Sequence, residues 1–108
     1  MPSQEILPGT LDLLVLKTLT RGPMHGYAIA QYLLEHSGQL LQVGEGSLYP
    51  ALQRLLVNGW TEAEWKTTST GRRARVYKLT AAGRKRLKEE EAEFGRMVAA
   101  IQGILGAA

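Results

Sequence analysis

The 108-residue chain has no cysteine, one aspartate and one phenylalanine. Without thiols it can form no disulfide, no thiolate nucleophile and no thiolate metal site, which suits a reducing compartment. The lone Asp12 offers little to general acid and base chemistry. His25 and His36 share no carboxylate cluster at ligand spacing, so they read as surface or capping histidines rather than metal ligands. We therefore expect no enzyme, no metal and no cofactor. No apolar run reaches the roughly 20 residues a membrane helix needs, and the N-terminus lacks a basic segment followed by an apolar one. The expectation is a soluble, cytoplasmic protein without membrane contact. Gly44-Glu-Gly46 lacks the third glycine of a dinucleotide fingerprint and the Gly-Lys-Ser/Thr of a phosphate loop, and reads as a tight turn.

What is present is unevenly placed. The net charge is only +3, yet nine of the thirteen Lys and Arg residues lie between Trp65 and Lys88, where there is no Asp or Glu. Such a segment attracts a polyanion. The bland alternative is a solvated basic face balanced by the glutamates from Glu89 to Glu93.

Along the chain, an arm over residues 1–8 leads to a first helix capped by Thr10. Leu11, Leu13, Leu14, Val15, Leu16 and Leu19 make that helix apolar around most of its circumference. We expect more apolar surface there than one core can bury, with Leu13 and Leu16 facing a second copy of the chain. After Thr20-Arg-Gly-Pro23, a scaffold helix from His25 to His36 turns Ile29, Leu33 and Leu34 inward, and Gly38 ends it. Leu40, Leu41 and Val43 suit a short strand. The next helix, capped by Ser47 and stopped by Gly59, buries Leu48, Leu52, Leu55 and Leu56. It turns Tyr49, Gln53 and Arg54 outward, with Pro50 tolerated in its first turn.

Two alternating strands follow, Trp60 to Lys66 and Ala74 to Leu79, around a polar basic loop over residues 67–73. Val76 and Ala74 fall on the face opposite Arg75 and Tyr77. Trp60 and Trp65 read as a hydrophobic lid on the sheet, with stacking on bases or a ligand as the alternative. Thr80 caps a last helix running to about Gly103, where Leu87, Phe94, Val98, Ile101 and Leu105 recur as a dimerisation seam.

The expected fold is mainly α with a small β-hairpin: a winged helix-turn-helix over residues 1–79 and a dimerisation helix over residues 80–108, forming one compact unit.

Five stretches carry a resemblance. They are Gly9-Thr-Leu-Asp-Leu-Leu-Val-Leu, His25-Gly-Tyr-Ala-Ile, Gly46-Ser-Leu-Tyr-Pro-Ala-Leu-Gln-Arg-Leu, Asn58-Gly-Trp, and Arg75-Val-Tyr-Lys-Leu-Thr-Ala-Ala-Gly. From about Gly9 to Gly83 the chain resembles the PadR family of bacterial transcriptional regulators, in its short form. The resemblance implies a homodimeric winged-helix repressor on a dyad-symmetric DNA operator. It places Ser47, Tyr49, Pro50, Gln53 and Arg54 on the recognition helix, His25, Gly26 and Tyr27 at the start of the supporting helix, and residues 70–75 in the wing. With Lys66, Arg72, Arg73 and Arg75 from the basic segment, these form the expected contacts to double-stranded DNA. Some members of the family respond to planar drug-like molecules through a tryptophan in the last helix. Here Phe94 is that helix's only aromatic residue, so no effector is assigned. The reading from another class is a winged-helix protein-interaction module without DNA binding.

Overall fold

The computed structural model describes residues 8–107; of the expected arm over residues 1–8, residues 1–7 lie outside them and Pro8 is instead the first residue of a helix. The elements run α1 (Pro8–Leu19), β1 (Met24–His25), α2 (Gly26–His36), α3 (Glu45–Val57), β2 (Thr61–Thr67), β3 (Arg73–Leu79) and α4 (Ala81–Leu105). The fold is mainly helical with a three-stranded antiparallel sheet in the order β1-β3-β2.

α1 is the centre of the core. It begins at Pro8, whose missing N–H suits a first helical position, and not at Thr10. It touches α2, α3, α4 and β3, and Leu11, Leu13, Val15, Leu16 and Leu19 are all buried within the single chain. Even Thr18 is buried, its hydroxyl donating to the Leu14 carbonyl at 2.8 Å. The apolar circumference is thus explained by surrounding elements of the same chain. Leu13 and Leu16, expected at a dimer contact, are instead core residues.

Glycine and hydroxyl chemistry sets the helix ends. α2 is capped by His25, whose Nδ1 accepts from the Ala28 N–H at 3.2 Å. It ends with Gly38 at φ 64° and Gln39 at φ 68°, and the Gln39 N–H bonds back to the Leu34 carbonyl. α3 closes in the same way: Gly59 adopts φ 73°, and the Gly59 and Trp60 N–H groups donate to the Leu56 and Leu55 carbonyls. Its start differs from expectation. The cap is Gly44, so Ser47 lies inside the first turn and Pro50 falls well within the helix. Pro50 therefore has no N–H to donate to the Gly46 carbonyl, and Gly46 lies on an exposed face.

No strand forms over Leu40 to Val43. The third strand is β1, too short to be read from alternation, which pairs Met24 with Tyr77 and His25 with Val76. In the hairpin, Thr61, Ala63, Trp65 and Thr67 stand opposite Leu79, Tyr77, Arg75 and Arg73. The Thr61, Tyr77 and Leu79 end of that face is buried, so the core is on the Tyr77 side and not the Val76 side.

α4 joins the body at its first turns only. Thr80 accepts from the Gly83 N–H at 3.0 Å and donates to the Gly59 carbonyl at 2.8 Å. A Cβ on Gly83 would stand 2.0 Å from the Trp60 carbonyl oxygen, so only glycine permits this approach. Leu87 is buried in the same core, and beyond it no residue of α4 is buried.

Candidate nucleic-acid interface

Tyr77 is the point on which three elements converge. It pairs with Met24 of β1 and Ala63 of β2. Burial pushes its phenol above the ordinary tyrosine range, Arg75 pulls the other way, and Tyr49 of α3 adds a smaller upward push. The N-terminus of α2 is drawn in as well, because Gly26 sits against Leu48 and Leu52 of α3. The start of α2, the outer face of α3 and the hairpin thus form one surface, which the sequence treated as separate stretches.

Each residue expected there has a definite place. His25 spends Nδ1 on its own helix cap, which leaves Nε2 as the ring's N–H donor. Tyr27 is exposed, as are Ser47 and Tyr49, the last at 57%. Gln53 and Arg54 are not freely displayed. The Gln53 amide nitrogen is enclosed and has no hydrogen-bond partner among the described residues. Arg54 turns toward α1, where Nη2 and Nε donate to the two Asp12 carboxylate oxygens at 2.7 and 3.1 Å. That paired geometry is fixed on both sides. The Asp12 hydrogen bond raises the Arg54 guanidinium above its ordinary value, so the cation is locked in. Arg54 thus joins the recognition helix to the core, and it departs from the outward position that helical spacing assigns it.

In the hairpin, Arg73 and Arg75 share a face, whereas Lys66 is on the other and pairs with Glu64 at 3.4 Å. Arg72 sits in the turn, its N–H donating to Thr68 Oγ1, with Gly71 at φ 82° closing the loop. Pro50 is exposed beside Tyr49, Trp65 at 58% follows the alternative reading rather than the lid, and Val57, exposed at 84%, was not anticipated. Trp60 does form a lid, packed against the core beneath the Arg86 guanidinium. Trp65 does not. A strand's alternation gives two faces without saying where the core ends along them, so the sequence could not separate the two tryptophans.

Such a surface offers backbone and side-chain N–H donors, a tyrosine and a guanidinium pair to a polyanion. It offers no paired groups for bond chemistry. Among the described residues no cluster of His, Asp or Glu could hold a metal, and no helix is long and apolar enough to cross a membrane.

Comparison with known proteins agrees with this geometry. The model of the "Transcriptional regulator PadR-like family" matches residues 15–89, from within α1 to the first half of α4. The chain belongs to the PadR-like family. A transcriptional regulator of Mycobacterium tuberculosis is 30% identical over 100 residues, covering 93% of this chain and 90% of that one. The negative transcriptional regulator PadR of Bacillus subtilis is 28% identical over 79 residues, covering 73% of this chain and 43% of that one. Among solved structures, a PadR family regulator from Eggerthella lenta superposes with a TM-score of 0.80 at 30% identity, over 93% of this chain and 85% of that one. The PadR-like protein is thus a DNA-binding transcriptional regulator with a winged-helix fold, and its family is one of regulators rather than enzymes.

Proposed function

We propose that this PadR-like protein is a homodimeric repressor that binds a dyad-symmetric operator. α3 would enter the major groove, and the start of α2 and the wing would hold phosphates on either side. The observation that carries the reading is the convergence at Tyr77, which aligns an exposed helix face, a helix N-terminus and arginines of the wing. Ser47, Tyr49, His25 and Tyr27 are the foremost contacts. Gln53 can pair with adenine only after a rotamer change frees its amide, and Arg54 contributes by orienting α3. Repression is proposed by analogy with the negative transcriptional regulator PadR of Bacillus subtilis.

The dimer rests on α4. Phe94, Val98, Ile101 and Leu105 form one stripe, flanked by Met97 and Ile104, and most of these side chains are exposed on the single chain. Leu87 belongs to the core of its own chain, so the change of role falls within α4, after the turn that carries Leu87, rather than at Thr80. Two such helices crossing at about 20° would cover both stripes.

Titration of an operator duplex and a scrambled duplex at one fixed salt concentration tests the reading surface. Tyr49→Ala and Gln53→Ala should each weaken operator binding by about 1 to 3 kcal/mol per half-site and leave the scrambled duplex nearly untouched. Equal loss on both duplexes would remove α3 as the sequence reader.

A further inference from the structure

Trp65 is the prominent residue that this interface leaves unused. It lies on β2 opposite Arg75, one rung beyond the pair of Ala63 with the buried Tyr77. The Arg73 guanidinium lies over its ring, 5.3 Å from the centroid. Strand alternation puts Trp65, Thr67, Arg73 and Arg75 on one face of the hairpin, the face that starts in the core and runs outward past it. The opposite face is of another character. Glu62 stands across from Lys78, and Glu64 binds Lys66. The wing therefore has one aromatic and cationic face without an acid, and one whose lysines are matched by glutamates.

An indole with a guanidinium stacked on it has specific binding chemistry. The ring offers a flat apolar plane and an Nε1–H, while the guanidinium keeps its in-plane donors free. A free anion would gain nothing from the indole. A stacked base cannot reach it without leaving its stack. A sugar-phosphate strand of duplex DNA fits both parts, with C–H surface for the ring and phosphate oxygens for the donors. Arg75 adds to this face a buried Nε that has no acceptor among the described residues.

We infer that the wing meets duplex DNA through this face alone. Trp65 packs against a deoxyribose of the strand whose phosphates Arg73 and Arg75 hold, and Lys66 stays in solvent. The inference rests on the DNA-binding reading above. It replaces the expected contact at Lys66 by one at Trp65.

The chain has two tryptophans, so Trp60→Phe leaves Trp65 as the sole indole emitter. With that variant, duplex DNA should shift and quench the emission over the same concentrations at which the anisotropy of an end-labelled duplex rises. Trp65→Ala should weaken binding to any duplex by about tenfold with little change in the slope of log affinity against log salt, because no charge is lost. Trp65→Phe, which keeps a ring, should restore most of the affinity. Lys66→Ala should change neither affinity nor slope, whereas Arg73→Ala should reduce the slope by about 0.9 per wing. If Trp60→Phe fails to fold, the native protein is compared with Trp65→Phe, in which the DNA-linked emission change must disappear. Binding by anisotropy with Trp65 emission unmoved overturns the inference, as does a Lys66→Ala slope change equal to that of Arg73→Ala. If the native protein shows no salt-dependent affinity for duplex DNA, the DNA-binding reading falls and the inference falls with it.

Discussion

Single residues explain much of what the elements do, and Gly83 is the sharpest case. The first turn of α4 reaches the Trp60 carbonyl so closely that a methyl group at position 83 would overlap it at 2.0 Å. Because the neighbour is backbone, in the link between α3 and β2, relief requires moving the first turn of α4 or that link. Gly83→Ala should therefore cost about 2 to 3 kcal/mol or more, measured by urea unfolding, and a loss below about 0.5 kcal/mol would contradict the contact. Asp12 gives the opposite case. Its ion pair with Arg54 is bidentate, but the Arg54 side chain is 40% exposed, so solvent screens the attraction. Asp12→Ala should cost only about 1 kcal/mol in the same experiment. It should also raise affinity for all duplexes, since a negative charge beside the recognition helix is removed. Unchanged non-specific affinity would argue that this edge of α3 stays clear of DNA.

Among the elements, α1 and α4 divide the apolar load in a way that periodicity does not reveal. Both carry leucines and other large side chains at helical spacing, and both read as candidates for contact with a second chain. α1 is surrounded by four elements of its own chain, so its leucines are core. No residue of α4 beyond Leu87 is buried, so its later stripe is open. Which helix is enclosed depends on tertiary topology, to which a hydrophobic pattern is blind. Caps were legible where the chemistry was singular: Thr80 before α4 and Gly59 after α3 are found where spacing puts them. They were misplaced where several residues compete, as with Gly44 and Ser47, or Pro8 and Thr10. Tyr49, at the exposed edge of α3, was legible from spacing, whereas the inward turn of Arg54 was not, because its partner is 42 residues away. On this account Phe94→Asp combined with Ile101→Asp should give a folded monomer. The open stripe is exposed on one chain, so the charges disturb only the contact between two. Sedimentation equilibrium checks the mass and circular dichroism the fold. A native protein that is monomeric at micromolar concentration, or a double variant that remains dimeric, would remove α4 as the contact.

At the scale of the whole molecule, function follows from where charge and exposed shape coincide. The basic segment from Trp65 to Lys88 was visible in the sequence, but folding separates it. Arg73 and Arg75 lie with Trp65 on one face of the wing, Lys66 is matched by Glu64, and Arg86 covers Trp60. A mild net charge thus becomes a local positive surface beside an exposed helix, and two copies related by a two-fold axis would present that surface twice. The most direct measurement is a nuclease footprint, at physiological salt, on the DNA immediately upstream of the protein's own gene. The account predicts protection of two inverted half-sites whose centres lie about one helical turn, 10 to 10.5 base pairs, or a multiple of it apart. That protection should weaken steeply as salt is raised. Protection of a single asymmetric site, or none at concentrations where bulk duplex is bound, would contradict it.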